Sequence, residues 1–219
     1  MDHSPDLADG PLAGVRVVDL TSMISGPVAT MMLADQGADV IKVEPPGGDL
    51  VRAMGANRGG VSATFVSANR SKRSVVLDLK TDAGLDALKR LVRTADVFVQ
   101  NFRPGAIERM GLGEDVLRAE REDLVYVSIS GFGEQGPYAG NRVYDPVIQA
   151  LSGLAAIQAD ADGRPQHGLR TIIPDKLTAV TAAQAITAAL FARERSGRGQ
   201  HVRLAMLDAT VAFASGRRA

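Results

Sequence analysis

The chain contains no cysteine, which removes disulfide frameworks, thiol nucleophiles and cysteine metal sites together. Its three histidines, His3, His167 and His201, are scattered and have no zinc-ligand spacing. Net charge is missing as well. Lys+Arg and Asp+Glu each total 25, so nothing draws the molecule as a whole to nucleic acid or to an anionic membrane, and any polyanion must be held by a local cluster. The opening MDHSPDLADG is acidic and polar where a secretory signal would be basic and then apolar, so residues 1–10 read as a disordered leader and the cytoplasm is the expected compartment. The uncharged run from Leu177 to Ala192 is the nearest approach to a membrane span. It falls short of the roughly 20 apolar residues a span needs, and its alanines, threonines and glutamine contribute little transfer energy, so a buried helix and no membrane partner are expected.

A dinucleotide glycine fingerprint is also absent, at the place where one would be looked for. Val15 to Leu20 is a β-branched run that reads as a buried strand, and Ser25-Gly26-Pro27 reads as a capping serine with proline just inside a helix start. Gly37 ends that helix and Asp39 to Val43 supplies the next strand, a βαβ unit with parallel strands and a right-handed crossover. Between strand and helix stands Thr21-Ser22-Met23-Ile24 in place of GxGxxG.

The alternation continues. Thr81 is expected to cap a helix carrying Leu85, Leu88, Leu91 and Val92, followed by a strand from Asp96 to Val99. Short helices are expected over Pro104–Met110 and Asp115–Glu120, a strand over Leu124–Ser130, and a polar loop over Ala159–Gly168. The long helix after it carries a stripe of Leu177, Val180, Ala183, Ile186 and Leu190, and a last helix opens at Met206. No repeat or long linker interrupts the chain. The fold class is therefore α/β: an open, mostly parallel, Rossmann-like sheet with flanking helices, whose ligands belong outside the carboxyl ends of the strands. Ser22 to Ser25, Asn101-Phe102 and Gly131-Phe132-Gly133 fall at such ends.

By residue type alone, Asp175 reads as an N-cap of the long helix, accepting a backbone N–H. Lys80 and Arg109 read as solvated helix-end charges, and Phe102 as core. Asn101 stands out, because a polar residue at a strand's carboxyl end has little structural reason to be there. Arg70, Lys72 and Arg73 form the densest basic cluster, a surface turn first and a phosphate contact second.

Four blocks then stand together in order: Pro11–Glu44, Ser71–Lys80 (SKRSVVLDLK), Ala95–Gly105 (ADVFVQNFRPG) and Arg193–Gln200 (RERSGRGQ). In these blocks the chain resembles the family III CoA-transferases of CaiB/BaiF type, which include formyl-CoA and carnitine CoA-transferases and the related α-methylacyl-CoA racemases. The resemblance runs over residues 11 to 212, so that residues 11–219 form the family's N-terminal Rossmann-like domain. It implies an enzyme that moves CoA between an acyl-CoA thioester and a carboxylic acid, with Asp175 as the covalent nucleophile. Carried over position by position, Leu77, Lys80, Asn101, Phe102, Arg109, Met110, Arg142 and Tyr144 fall at CoA-contacting places. No permanently bound cofactor is implied; coenzyme A enters as substrate.

Two positions depart from the pattern. Ile24 stands where oxalate-handling members carry a glutamine, and Pro45 where they carry an arginine that touches CoA, which argues against formyl-CoA:oxalate exchange. Racemases of the family place a histidine acid/base where this chain has Tyr144-Asp145, and a phenol with a pKa of about 10 is a poor base at neutral pH, so transferase is the preferred reading. An acyl-CoA racemase and a non-catalytic CoA-binding fragment are the alternatives. Members of the family are longer, have a second domain and dimerise as interlocked rings. The resemblance therefore implies a homodimer and a chain that carries the N-terminal part alone, with apolar faces left to be covered.

Overall fold

The computed structural model describes residues 10–164 and 169–215; residues 1–9, with most of the expected leader and His3, residues 165–168, with His167, and the last four residues lie outside that description. Six strands form one sheet: β1 (Arg16–Leu20), β2 (Asp39–Glu44), β5 (Arg73–Val76), β6 (Val97–Gln100), β7 (Val125–Ser130) and β8 (His201–Ala205). Their spatial order is β5-β2-β1-β6-β7-β8, and every neighbouring pair is parallel. A separate antiparallel pair, β3 (Asn57–Arg58) and β4 (Val61–Ser62), leads into helix α2 (Ala63–Asn69). The remaining helices are α1 (Ser25–Ala34), α3 (Asp82–Val92), α4 (Ala106–Arg109), α5 (Glu114–Glu120), α6 (Asp145–Leu151), α7 (Leu154–Ile157), α8 (Ile173–Ser196) and α9 (Met206–Ala214).

Both sheet faces are covered, which is why the strands read as β-branched runs rather than alternating ones. Val17, Val97, Val99, Val125 and Val127 point to the face packed by α1 and α8, where Ala29, Leu33, Ala179, Ala182 and Ile186 are buried. Their strand neighbours Val18, Phe98 and Tyr126 point to the opposite face, under Leu88, Ile107 and Leu117 of α3, α4 and α5. Thr81 caps α3 as expected, accepting the N–H of Gly84 at 3.1 Å. Gly37 takes φ 96° beyond the end of α1, a left-handed turn that favours glycine.

Three local expectations are corrected. Ser25 is the first residue of α1 rather than its cap; Ile24 takes the cap position, with no side-chain hydrogen bond, and frees Ser25 to face the site. Asp175 is likewise inside the first turn of α8, whose N-cap is Ile172. The buried edge of α8 keeps Ala183, Ile186 and Leu190 of the expected stripe, but Val180 is 54% exposed and Ala179, Ala182 and Ala189 are buried beside them. Small side chains there let α8 lie close against α1. Among the described residues no helix is long and apolar enough to cross a membrane.

The topology fixes where a ligand belongs. From β1 the chain builds outward through β2 and β5, then returns to β6 on the other side of β1, so the order reverses between β1 and β6. The crevice outside the carboxyl ends of those two strands is the switch point at which open parallel sheets take ligands.

Candidate active site

The loop leaving β1 at the switch point is held from both sides. Asn101, just past β6, accepts the N–H of Ser22 at 3.0 Å through Oδ1 and donates its amide to the carbonyl of Ser22 at 2.8 Å. The structural reason missing from the sequence reading is therefore present: the Asn101 amide ties the ends of β1 and β6 together. Met23 follows in the left-handed region at φ 68°, a strained state for a residue with a side chain, and its N–H points to Asp49 Oδ1 at 3.4 Å. A Cβ on Gly26 would lie 2.5 Å from Cβ of Thr21, so only glycine allows α1 to start this close to the loop.

Beneath the loop lies a buried ionic network. Lys72 Nζ pairs with Asp19 at 2.9 Å and also donates to the Pro27 carbonyl and to Asn69. Lys42 pairs with Asp49 at 3.0 Å and donates to the Thr21 carbonyl at 2.8 Å. Burial alone would raise the Asp19 carboxyl, but Lys72 and Lys42 more than offset it and hold it well below the carboxylate range. Lys72 itself is lowered by burial, with Asp19 pulling the other way. The expected surface cluster is thus taken apart: Lys72 is a core cation, Arg70 pairs with Asp35, and Arg73 chelates Asp39 at 2.6 and 2.7 Å. All three pair with carboxylates within the fold, Lys72 in the core and Arg70 and Arg73 at the surface, and none lines the clefts at the strand ends.

Asp175 opens into a cleft of about 300 Å³ at the switch point, together with Ser22 to Ser25, Asn101, Phe102, Arg142, Tyr144 and Asp145. Burial pushes its carboxyl up to about 6, the adjacent Asp145 adds to the rise, and the hydroxyl and N–H of Ser25 pull it back. Asp145 is 4% exposed at the start of α6. Its Oδ2 accepts the backbone N–H of Asp175 at 3.1 Å and its Oδ1 the amide of Gln149 at 2.5 Å. Gln149 also donates to the Thr171 carbonyl at 3.1 Å, which ties the segment before α8 to α6. A carboxylate with a pKa near 6 is almost fully ionised at pH 7–8 and more basic than an ordinary aspartate, and the α8 N-terminus favours its charge.

A second, larger cleft of about 710 Å³ adjoins the first. Leu77, Lys80, Met110 and Phe102 line it, with the Pro45–Leu50 turn opposite. Phe102 lines both clefts and is the wall between them. The predicted residues therefore divide: Leu77, Lys80 and Met110 gather in the outer cleft, Asn101, Arg142 and Tyr144 at Asp175, and Phe102 joins the two sets. Arg109 lines neither; it is exposed at the end of α4, one residue before Met110. Phe102, read as core by residue type, is 36% exposed. Sequence reasoning put Ser25 at a strand end where ligands belong, without a part beside Asp175, and passed over Asp145 and Gln149 as parts of the site. The signal available for Asp145 was its place before Pro146, where an acidic residue opens a helix. Nothing local marked Gln149.

Residues 12–218 match the model of CoA-transferase family III. A succinate–glutarate CoA-transferase of Agrobacterium fabrum is 45% identical over 206 residues, 90% of this chain and 51% of that protein. An acetyl-CoA:oxalate CoA-transferase of Acetobacter aceti is 41% identical over 213 residues, 97% of this chain and 55% of that protein. Among solved structures, a CAIB/BAIF family protein from Brucella suis superposes with a TM-score of 0.89 at 37% identity, over 96% of this chain and 59% of that one. The chain spans about half the length of the curated relatives it matches.

Proposed function

The chain belongs to CoA-transferase family III, and from that premise we propose that it transfers CoA from an acyl-CoA thioester to a carboxylic acid, with Asp175 as the covalent nucleophile. A carboxylate oxygen of Asp175 attacks the thioester carbonyl carbon; a C–O bond forms, the C–S bond breaks, and CoA leaves as thiolate. The thiolate then attacks the aspartyl carbonyl of the mixed anhydride, releasing the first acid as carboxylate and leaving an aspartyl-CoA thioester. The incoming carboxylate attacks the aspartyl carbonyl of that thioester, the C–S bond breaks and a second mixed anhydride forms; the expelled thiolate then attacks the new acyl carbon, and the anhydride C–O bond breaks to release Asp175 as carboxylate. No proton need leave the nucleophile, and anhydride and thioester are similarly activated, so neither exchange climbs far.

The observation that carries this reading is the placement of Asp175, raised in basicity and open to a cleft that Phe102 shares with the outer one. The outer cleft suits the CoA body: Leu77 and Met110 offer apolar contact, and Lys80 a charge for phosphate. Asn101 would position the loop, while Arg142 and Tyr144 reach the thioester end, and Arg109 would meet CoA only at its outer edge. The N–H groups at the start of α8 are already taken, Ile173 by Thr171, Asp175 by Asp145 and Lys176 by Ile172, and Pro174 has none. Helix α8 therefore acts through its dipole, and the Ser25 N–H, directed at the Asp175 carboxylate, is the backbone donor offered to the developing oxyanion. The family membership also supports a homodimer, which sedimentation velocity reads directly.

Incubation with acyl-CoA and hydroxylamine tests the nucleophile. Trapping of the activated carboxyl should place a hydroxamate on Asp175, detected by peptide mass. Modification confined to another carboxylate, or full exchange by Asp175→Asn, would refute the assignment.

A further inference from the structure

Ile24 separates the Asp175 cleft from a third cavity, of about 440 Å³, enclosed by α1, α2 and α8. Its walls are two rows of side chains at helical spacing. From α1 come Val28, Met31 and Met32; from α8 come Lys176 and Val180, one turn apart beyond the cap residue Ile172. Both rows begin at helix N-termini, one carrying Ser25 and the other Asp175. Ala68 of α2 closes the third side, with Ser67 at the rim. The single charged lining group, Lys176, turns its ammonium to Thr171 Oγ1 at 2.9 Å, which leaves its methylene stem to the groove.

We propose that this groove receives the aliphatic chain of the acyl group, so that medium-length acyl-CoAs are preferred to short ones. The inference rests on Asp175 being the attacking carboxylate, because it places the acyl carbon at the two helix N-termini. CoA leaves that point past Phe102, and the acyl chain needs a different way out. The groove begins at the same point and is mainly apolar from Ile24 onward, with Thr64 and Ser67 on its α2 side. From Ile172 to Val180 it follows eight residues of helix, roughly 12 Å, the length of an extended chain of about ten carbons, so an octyl chain fits within it. Its volume falls within the range of small-molecule sites, and paired methionines accommodate chains of differing shape. Ile24 itself is the threshold, since a polar side chain there would place an unpaired group against the chain.

Binding of inert thioethers tests this without relying on turnover. S-octyl-CoA should bind the protein at least about 30-fold more tightly than S-methyl-CoA, the effect of fully burying two to three methylenes. Val180→Glu, which sets a charge in the groove from an exposed position, and Ser67→Trp, which fills it from the rim, should each bring that ratio to within about threefold. A wild-type ratio near one, or a ratio untouched by both substitutions, would overturn the groove assignment. Chain-length-independent binding with hydroxamate still forming on Asp175 would discard the groove alone. A strong length preference without any hydroxamate would keep the groove and discard the nucleophile.

Discussion

Asp145 accepts the backbone N–H of Asp175 at 3.1 Å, and its own carboxylate stands close enough to help raise that of Asp175. One buried side chain therefore both places the start of α8 and tunes the residue proposed to react there. The Gln149 amide on its other oxygen keeps it in this orientation. Asp145 acts through Asp175 and is a positioning residue.

Exchange activity should consequently rise with pH through about 6, as Asp175 ionises. In Asp145→Asn the side-chain shape and one accepting oxygen are kept, the other oxygen becomes an amide donor and the charge is gone, so the acid limb should move to lower pH. Burial, the larger cause, remains, so the limb should stay above the ordinary aspartate range. A less basic carboxylate is also a weaker nucleophile, and the plateau rate should fall. The pH dependence of kcat/KM measures both; a limb that does not move would show that Asp145 has no electrostatic part.

The same raised pKa makes a statement about stability. Burial raises the Asp175 carboxyl from the ordinary aspartate value of 3.8 to about 6 in the folded chain, so the folded state prefers the protonated form. Its contribution is most favourable below the unfolded pKa and is lost as pH rises toward 6. Above that, the ionised carboxylate destabilises the fold by up to about 3 kcal/mol. Asp175→Asn should therefore be more stable than the parent at pH 8, with the advantage vanishing below about pH 4. Urea unfolding at the two pH values checks it, and equal stability at both would contradict the burial of this charge.

How far the sequence reached depended on whether a feature was local. The β-branched runs of β1, β2, β6 and β7 and the Thr81 cap are local, and each appears within a residue or two of its expected bounds. Helix α2 and strand β5 lie in stretches that carry no such pattern: Arg73–Val76 is a short edge strand whose side chains are mostly exposed. The Asp175 block was legible through resemblance, whereas its partners were not. Ser25 looked like a cap, and Asn101 like a ligand without other duties, because the ends of β1 and β6 meet only once the sheet is ordered. Lys72 misled for the same reason. Flanked by Arg70 and Arg73, it has the sequence signature of a solvated turn, and only the fold brings the buried Asp19 to it.

That contrast between neighbours gives the last prediction. Arg70 and Lys72 are two residues apart, and each pairs with an aspartate, but the Arg70–Asp35 side chains are 51% and 33% exposed while Lys72 and Asp19 are 2% and 0% exposed. An exposed pair contributes at most about 1 kcal/mol, because water screens it and two mobile side chains must be ordered. Removing one member of a buried pair leaves an uncompensated charge and costs about 3 to 5 kcal/mol. Arg70→Ala should thus change the urea midpoint slightly, and Lys72→Met should lower it severely. Adding Asp19→Asn to Lys72→Met should recover part of the loss, since the orphaned charge is then gone, although Thr21 and Thr30 still direct hydroxyls at that position. If Lys72→Met and Arg70→Ala prove equally mild, Lys72 is solvated in solution and the buried network under the loop leaving β1 does not exist as described.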